Sequence, residues 1–430
     1  MPPSRSILLV AYFYPPCRDT GARRPASMAR HLAELGHRVT VLTTSAYSGR
    51  VGPGATTLGE QSVIHSRDLQ LVRAKLAGKP TATALFDGES YRGKAHPISR
   101  WIAPEPLRVA WAPFAGAAAR KFEPDCVITT SPPESAHRIG YRLRRRGVPW
   151  VADLRDAWTF EPLRDPFATA LHHRYDERLE RRWLGSADTV VCVSEPAAAD
   201  LRRRGIADPI VIANGWDPAE SPDALHPGGA ALDRAEFDAA DLLSPQRVSL
   251  VYTGRFGSYG RDPKALIEAM ARLAGSDPAA AGKLELAIAG PLTAAEQSLF
   301  QTDVAPARIN RLGSLERSRA LALQRSADAL LLVAAPARSQ LINFKLFEYL
   351  ASGTPILALA AGTEAGRVAA EAGCEVVDAG DPTAITAALA KLVAGELSAP
   401  RRGAVDPYTY PRQAERMAEA VELAIARAGG

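Results

Sequence analysis

The sequence has few of the features that mark disulfide-bonded, metal-binding or membrane-spanning proteins. Its 430 residues include four cysteines, Cys17, Cys126, Cys192 and Cys374, without C-x-x-C spacing and without histidines in metal-ligand order. It has no run of about 18 consecutive apolar residues, and the apolar run near the start is too short for a signal peptide. The sequence therefore predicts reduced, mostly buried thiols, no membrane span and a cytoplasmic location.

The sequence also has no large excess of charge of either sign. The formal net charge is +5, from 52 Lys and Arg against 47 Asp and Glu, whereas a dedicated nucleic-acid binder concentrates basic charge more strongly. The 47% hydrophobic and 23% charged fractions are typical of a soluble globular protein. A chain of 430 residues is too long for one ordinary core, so two domains of roughly 200 residues each are expected.

The N-terminal stretch reads as a β-loop-α-β unit. A continuous apolar run over residues 7–12 predicts a buried parallel strand, and an amphipathic helix over about residues 25–35 precedes the strand RVTVLTT. The loop between strand and helix is not a G-x-G-x-x-G fingerprint, but it carries Gly21 where open α/β sheets bind ligands. Arg23 and Arg24 could pair with an anionic ligand; the alternative is that they are solvated.

A second polar cluster follows the strand predicted in PWVADLRDAW. Asp153, Arg155 and Asp156 stand at its carboxyl end, which is the usual place of an active site in a parallel sheet. The alternative is an Arg–Asp pair that fastens a loop. Between Ser48 and Lys121 the pattern is weak, and the aromatic and polar side chains there could contact an acceptor or pack under a long connection. Those side chains are Tyr91, His96, Trp101 and Trp111.

After a Pro-, Gly- and Ala-rich stretch, strands and helices alternate again, which favours a second doubly wound domain. The loop TGRFGSYGRDP directly follows a strand. Arg255 and Arg261 lie six apart among Gly254, Gly257 and Gly260, so two guanidinium groups could converge on a diphosphate while the glycines let the backbone approach it. The alternative is a flexible glycine loop with solvated arginines.

The stretch QLINFKLFEYLASGTPILAL combines a helix, the stop glycine Gly353 and a short buried strand. Lys345 and Glu348 lie three apart near the start of that helix, where backbone N–H groups and the helix dipole attract anions. This placement suits a phosphate beside Lys345 and sugar hydroxyls beside Glu348. A surface Lys–Glu pair worth a few tenths of a kcal/mol is the alternative.

Taken in order, these motifs resemble the retaining glycosyltransferases of the GT-B fold, of the large family 4 type. The set comprises YFYPPCRDTGARR, WVADLRDAW, SADTVVCVS, VIANGWD, YTGRF and FKLFEYLASGTPILAL. The resemblance implies an α/β protein with two Rossmann-like doubly wound domains facing across a cleft. The expected parts are an acceptor-side domain over 1–215, a linker over 216–247, a nucleotide-sugar domain over 248–407, and a helix over 408–430 that packs across the domain junction.

The resemblance also implies roles for individual residues. Arg255 and Arg261 match the basic pair that clamps the donor diphosphate, Glu348 matches the carboxylate that binds the nucleotide ribose, and Gly21 matches a loop that approaches the diphosphate. The residues expected to bind the donor are Gly21, Gly254, Arg255, Arg261, Gln340, Asn343, Lys345 and Glu348, and those expected to act in catalysis are Arg255, Arg261 and Asp156.

Two departures accompany this match. Many relatives carry a glutamate where this chain has Gln340, which can hydrogen-bond hydroxyls but offers no negative charge to an oxocarbenium-like centre. Many also have a histidine where this chain has Arg155. We expect these changes to mark a subfamily with other sugar contacts; loss of turnover is the alternative.

The expected activity is transfer of a hexose-type sugar from a UDP- or GDP-sugar to an acceptor hydroxyl with retention, without cofactor or metal. The acceptor is expected to be a small molecule, a glycan or a lipid-linked compound. The alternatives are a nucleotide-sugar 2-epimerase and a non-catalytic nucleotide-sugar-binding partner protein. No nucleic-acid partner is expected. Three arginine-rich segments, YRLRRRG, DERLERRW and LRRRG, could rest on anionic lipid at the inner membrane face or could simply be solvated.

Overall fold

The computed structural model of the chain describes residues 3–17, 20–48, 53–59, 61–69, 110–159, 169–220, 240–257, 261–335, 340, 342 and 344–429. The chain divides into two compact units, one of Met1–Asn214 with Tyr410–Gly430 and the other of Gly215–Thr409. The C-terminal helix is therefore part of the first unit. Part of the expected linker, residues 221–239, lies outside the described residues.

The first unit is a sheet with helices packed against it. Its strands are β1 Ser6–Ala11, β2 Arg38–Thr44, β3 Gly54–Leu58, β4 Gln61–Ser66, β5 Cys126–Ser131, β6 Trp150–Leu154, β7 Thr189–Cys192 and β8 Ile210–Val211. Its helices are α1 Arg23–Glu34, α2 Ala112–Ala119, α3 Ser135–Arg144, α4 Ala170–Leu184 and α5 Glu195–Arg203, and the C-terminal helix is Tyr410–Gly429.

The strand order of the first sheet is that of a doubly wound fold. Within the described residues it runs β3-β4-β2-β1-β5-β6-β7-β8, and all neighbours pair in parallel except β3 and β4. The central strands are apolar on both faces because helices cover both, and β5 and β6 are buried throughout. The predicted α/β class is confirmed here. The β3–β4 hairpin was not predicted, because its residues alternate only weakly.

The second unit repeats the plan with a smaller sheet. Its strands are β9 Val248–Thr253, β10 Leu284–Ala289, β11 Arg308–Gly313, β12 Ala329–Val333, β13 Ile356–Leu359 and β14 Glu375–Val377. Its helices are α6 Lys264–Ser276, α7 Pro278–Lys283, α8 Ala294–Leu299, α9 Arg317–Ser326, α10 Phe344–Ser352, α11 Glu364–Glu371 and α12 Pro382–Val393. The Tyr410–Gly429 helix of the first unit is α13.

The described strands of the second unit pair in parallel in the order β11-β10-β9-β12-β13-β14. Helix α10 presents Leu346, Phe347 and Tyr349 to the core, as its apolar spacing predicts, and Gly353 ends it with φ +74°. Buried apolar residues fill both faces of this sheet. The prediction of two Rossmann-like α/β units is thus confirmed.

Candidate functional site

Each sheet has one point at which the order of its strands reverses. In the first unit that point lies between β1 and β5, and in the second unit it lies between β9 and β12. Open α/β sheets bind ligands outside the carboxyl ends of the strands at such points. Gly21 follows β1, whereas Gly254 and Arg255 directly follow β9, so the predicted site residues fall at both reversals.

Two glycines let the backbone after β9 fold closely over the sheet. Gly254 has φ +109° and its N–H donates to the Ala289 carbonyl at 2.6 Å. A Cβ on Gly290 would lie 2.1 Å from the Gly254 carbonyl oxygen, so a side chain there would collide with the turn. A backbone in this conformation needs glycine at position 254, because other L-residues rarely adopt that φ.

The loop that follows is held by hydrogen bonds to one carbonyl group. The Arg255 carbonyl accepts from the Tyr252 hydroxyl at 2.6 Å and from Arg261 Nη1 at 2.9 Å. The Tyr252 ring stacks on Phe256, with 3.7 Å between centroids. The guanidinium of Arg261 is thereby tied to the backbone of Arg255, and each residue is partly exposed. Gly260 lies outside the described residues.

A carboxylate from helix α8 fixes the far side of this loop. Glu296 Oε1 accepts from the Gly257 N–H at 2.5 Å, while Oε2 accepts from the Thr293 N–H at 2.7 Å in a capping box. The T-x-x-E spacing could have revealed the capping box from the sequence. The contact with Gly257, 39 residues away, carries no local signal and was missed.

Lys345, in the first turn of α10, reaches back to the same loop. Its Nζ lies 4.0 Å from the centroid of the Tyr252 ring, and a Cβ on Gly254 would lie 2.6 Å from it. The residue keeps some exposed surface, but Nζ itself is buried and has no hydrogen-bond partner within the described chain. Burial and the charge of Arg261 lower the pKa of Lys345 well below its ordinary value, against the opposing effect of Glu348.

The alternative of a surface Lys–Glu pair is wrong, because Glu348 is buried and its ion pair is with another residue. Glu348 Oε1 lies 2.9 Å from Arg317 Nη1, at the start of α9. An ionised carboxylate has about four lone-pair sites, so one guanidinium partner does not exhaust its capacity to accept hydrogen bonds. Arg317 was not expected in this region, since nothing in its local sequence points to position 348.

Gln340 lies between β12 and α10, at the second reversal point. Its Nε2 is buried and has no hydrogen-bond partner in the described part of the chain. A buried amide N–H without a partner costs free energy, so a hydrogen-bond acceptor on a ligand would suit this position. Asn343, which was also expected to bind the donor, lies outside the described residues.

In the first unit, Arg24 is not available for a ligand anion. It is fully buried and forms a bidentate ion pair with Asp153, with Nη2 to Oδ1 at 2.8 Å and Nε to Oδ2 at 3.1 Å. Its Nη1 donates to the Ala213 carbonyl at 2.7 Å. Burial alone would raise the pKa of Asp153, but Arg24 and the Thr130 hydroxyl hold it below its ordinary value. Neither alternative for Arg24 holds, because its guanidinium is neither solvated nor available to pair with an anionic ligand.

Arg155 fastens two backbone segments at the first reversal point through three carbonyl groups. Its guanidinium donates to the carbonyls of Ser131 at 2.8 Å and Pro132 at 2.9 Å, and also to the carbonyl of Gly21. The loop after β1 and the loop after β5 are thus tied to one buried side chain. This contact fixes where the Gly21 loop lies. The neighbouring Asp156 is partly buried two residues beyond β6.

Two further expectations concern the aromatic residues between positions 48 and 121 and the four cysteines. Trp111 is fully buried; its indole N–H donates to Ser66 at 2.9 Å and its ring meets Tyr12 edge-on. It is a core residue, so the packing alternative is confirmed for Trp111 and the acceptor contact is wrong. Tyr91, His96 and Trp101 lie outside the described residues. The buried thiols were predicted correctly, since all but the half-buried Cys374 are buried.

Many of the clustered arginines are paired with carboxylates of their own unit. Arg144 pairs with Asp188, Arg202 with Glu195 and Asp208, and Arg204 with Glu180 and Asp200.

Within the described ranges, no helix is long and apolar enough to cross a bilayer. No group of three or more His, Cys, Asp or Glu side chains in that part of the chain is arranged to hold a metal ion.

Fold and loops together define a double Rossmann-like α/β protein with a basic, glycine-containing loop at the reversal point of its second sheet. Comparisons with known families agree with this class. Residues 20–215 match the family model described as a glycosyl transferase 4-like domain, and residues 247–395 match the one described as glycosyl transferases group 1. The chain belongs to the GT-B glycosyltransferases.

Individual relatives are more distant. The chain is 31% identical over 243 residues to the D-inositol 3-phosphate glycosyltransferase of Salinispora tropica, a match covering 52% of this chain and 48% of that protein. The match thus spans about half the length of that curated relative.

Two solved structures share the fold over nearly the whole chain. The sucrose-phosphate synthase of Thermosynechococcus elongatus matches with a TM-score of 0.65 at 16% identity, covering 97% of this chain and 98% of that one. A UDP-forming α,α-trehalose-phosphate synthase from Burkholderia vietnamiensis matches with a TM-score of 0.64 at 16% identity, covering 99% and 100%. At such identities the likeness concerns the fold alone.

Proposed function

We propose that the protein transfers a hexose-type sugar from a UDP- or GDP-sugar to an acceptor hydroxyl with retention of anomeric configuration. The observation that carries this proposal is the cationic cluster after β9. Arg255 and Arg261 share one hydrogen-bonded loop, and the Nζ of Lys345 is buried against it without a hydrogen-bond partner in the described residues. A diphosphate is the compact anion that three cationic side chains and a close backbone suit.

The chemistry follows from where negative charge develops. As the bond between the sugar C1 and the β-phosphate oxygen breaks, the leaving diphosphate gains charge, and Arg255, Arg261 and Lys345 stabilise it. A new C1–O bond forms to the acceptor on the same face, and the acceptor proton passes to an oxygen of the leaving phosphate. These protein cations serve the role that a divalent metal would otherwise fill, which supports a metal-independent transfer.

The remaining donor contacts are assigned on the same basis. The Glu348 carboxylate accepts from the ribose hydroxyls, and Gln340 Nε2 donates to the transferred sugar. In the first unit, we assign Gly21, whose carbonyl accepts from Arg155, to donor binding and Asp156 to catalysis, the roles that the family resemblance implies. The names of two relatives support a UDP donor and a phosphorylated acceptor, since one is UDP-forming and the other glycosylates an inositol phosphate.

Slow donor hydrolysis tests the proposal without knowledge of the acceptor. The protein is incubated with a panel of UDP- and GDP-sugars, with and without EDTA, and the products are followed by proton NMR. We expect free sugar of the donor's anomeric configuration from at least one donor, unchanged by EDTA. Release of the inverted anomer would contradict retention. Tight binding without any hydrolysis would favour a non-catalytic nucleotide-sugar-binding protein, and epimerised sugar would favour a 2-epimerase.

A further inference from the structure

The surroundings of Lys345 suit an amine better than an ammonium while the site is empty. An ammonium group carries three donors and loses much solvation when it is buried. Nζ is buried with no hydrogen-bond partner in the described chain, and its cation–π contact with the face of the Tyr252 ring replaces only part of the hydration that an ammonium loses. The nearest carboxylate on its own helix, Glu348, is already paired with Arg317.

Binding of a polyanion reverses this preference and favours the protonated form of Lys345. Nζ lies against Gly254, at the start of the loop that carries Arg255 and Arg261, so a phosphate bound to that loop would be within reach of it. A phosphate oxygen provides both a hydrogen-bond acceptor and negative charge, and either favours the protonated form. The nearby cation Arg261, which disfavours a second positive charge in the empty site, would be neutralised by the same ligand.

We propose that Lys345 is a proton switch: its amine is neutral in the empty site and takes up one proton when a nucleoside diphosphate binds. This inference rests on the proposed function, because it requires that the diphosphate occupy the loop after β9. The consequence is that affinity depends on pH even where the nucleotide itself no longer titrates.

The tyrosine and arginine side chains around Nζ cannot take up this proton in place of Lys345. Those on the elements packed about it are Tyr252 of β9, Arg255 and Arg261 of the loop, Glu296 of α8, Arg317 of α9, and Glu348 and Tyr349 of α10. Burial raises the pKa of Tyr252, and it raises the pKa of Tyr349 to about 12, so both phenols already hold their protons at pH 8. The arginines stay charged throughout.

The sign of the pH dependence follows from linkage. The pKa of Lys345 is low in the empty protein and higher in the complex, so the complex binds more protons at every pH between the two values. Affinity therefore falls by up to about tenfold per pH unit as the pH rises through that window. Below the lower pKa the amine is charged in both states, and affinity no longer changes with pH.

The test is a calorimetric titration of UDP and of GDP into the whole protein at pH 8, where the terminal phosphate of either nucleotide is deprotonated. The observed enthalpy is compared in buffers of different ionisation enthalpy, such as HEPES and Tris, because its dependence on that enthalpy gives the number of protons taken up. For whichever nucleotide binds, we expect an uptake close to one.

Variants separate the switch from a purely structural lysine. Lys345→Met and Lys345→Arg should both bring the uptake close to zero, and the arginine variant should retain tighter binding because its charge is permanent. Lys264→Met, which removes an exposed lysine at the start of α6, should leave the uptake unchanged. Wild-type binding with no proton uptake would overturn the switch and leave the proposed function standing. Binding of neither nucleotide would overturn both.

Discussion

At the residue scale, His137 shows how burial fixes a protonation state. It is fully buried, and its Nδ1 lies 2.8 Å from the Thr129 hydroxyl, which itself accepts from the Trp150 indole N–H at 2.8 Å. A hydroxyl can donate one hydrogen bond and accept two, so either neutral tautomer of the His137 imidazole satisfies this contact. Burial lowers the pKa of His137 to about 3.

This burial predicts an acid-sensitive first unit. In the unfolded chain a histidine titrates near pH ~6.5, so between that pH and about 3 the unfolded state binds the extra proton. The stability that neutral His137 contributes is fully present above the unfolded-state pKa of ~6.5. Below that pH it falls as the pH decreases, by up to about 1.4 kcal/mol per pH unit. Urea unfolding at pH 5, 6 and 7 should show a shallower pH dependence for His137→Gln than for the wild type. Equal slopes would contradict the assignment.

Glu348 gives a second prediction at this scale. Ribose is common to the donor and to the free nucleotide, so Glu348→Gln should weaken binding of both by about 1–3 kcal/mol if the carboxylate accepts from ribose hydroxyls. Calorimetry with the nucleotide and the nucleotide sugar measures this loss. Arg317→Gln is the matched control, because it breaks the ion pair but keeps the carboxylate. A loss in the Arg317 variant with none in the Glu348 variant would refute the ribose contact.

At the element scale, helix α3 packs against β6 through a position that has no space for a side chain. A Cβ on Gly140 would lie 2.1 Å from Nε1 of the buried Trp150. Gly140→Ala should therefore lower the free energy of unfolding by about 1–3 kcal/mol or more, as is typical of overpacking. This loss is expected although alanine has the better helix propensity. Gly275→Ala in α6 is the control, since a Cβ there meets nothing within 4 Å. Urea unfolding of the two variants should give a clearly lower midpoint for Gly140→Ala than for Gly275→Ala. Similar midpoints would mean that α3 and Trp150 can move to accommodate the added methyl group.

The elements also show what local sequence carries and what it does not. The glycine stop of α10 follows from spacing and capping, which act within one or two turns. The pairing of Arg24 with Asp153 joins residues 129 positions apart, and that of Glu348 with Arg317 joins two helices. The local sequence around each of these four residues does not indicate its partner. The sequence therefore predicted where charged side chains lie but not which of them form ion pairs.

At the scale of the whole molecule, order along the chain was more informative than any single motif. Two successive α/β runs predicted two doubly wound units, and the family matches over residues 20–215 and 247–395 follow the same division. The C-terminal helix α13 packs on α1 in the first unit, a long-range return that periodicity alone does not assign. The cationic loop could be predicted because its glycines and arginines are adjacent in sequence, whereas the burial of Lys345 depends on Tyr252, far from it in the chain.

The central claim is that the loop after β9 binds the diphosphate of a nucleotide sugar. The measurement that tests it most directly is calorimetric titration of the UDP- and GDP-sugar panel into the wild type, Arg255→Ala and Arg261→Ala. Arg272→Ala serves as control, because Arg272 is exposed on α6 and pairs with Glu268. We predict that each loop variant loses about 1–3 kcal/mol of donor affinity, the usual value for a charge-assisted hydrogen bond, and that the control keeps wild-type affinity. Undiminished donor binding in both loop variants would contradict the account.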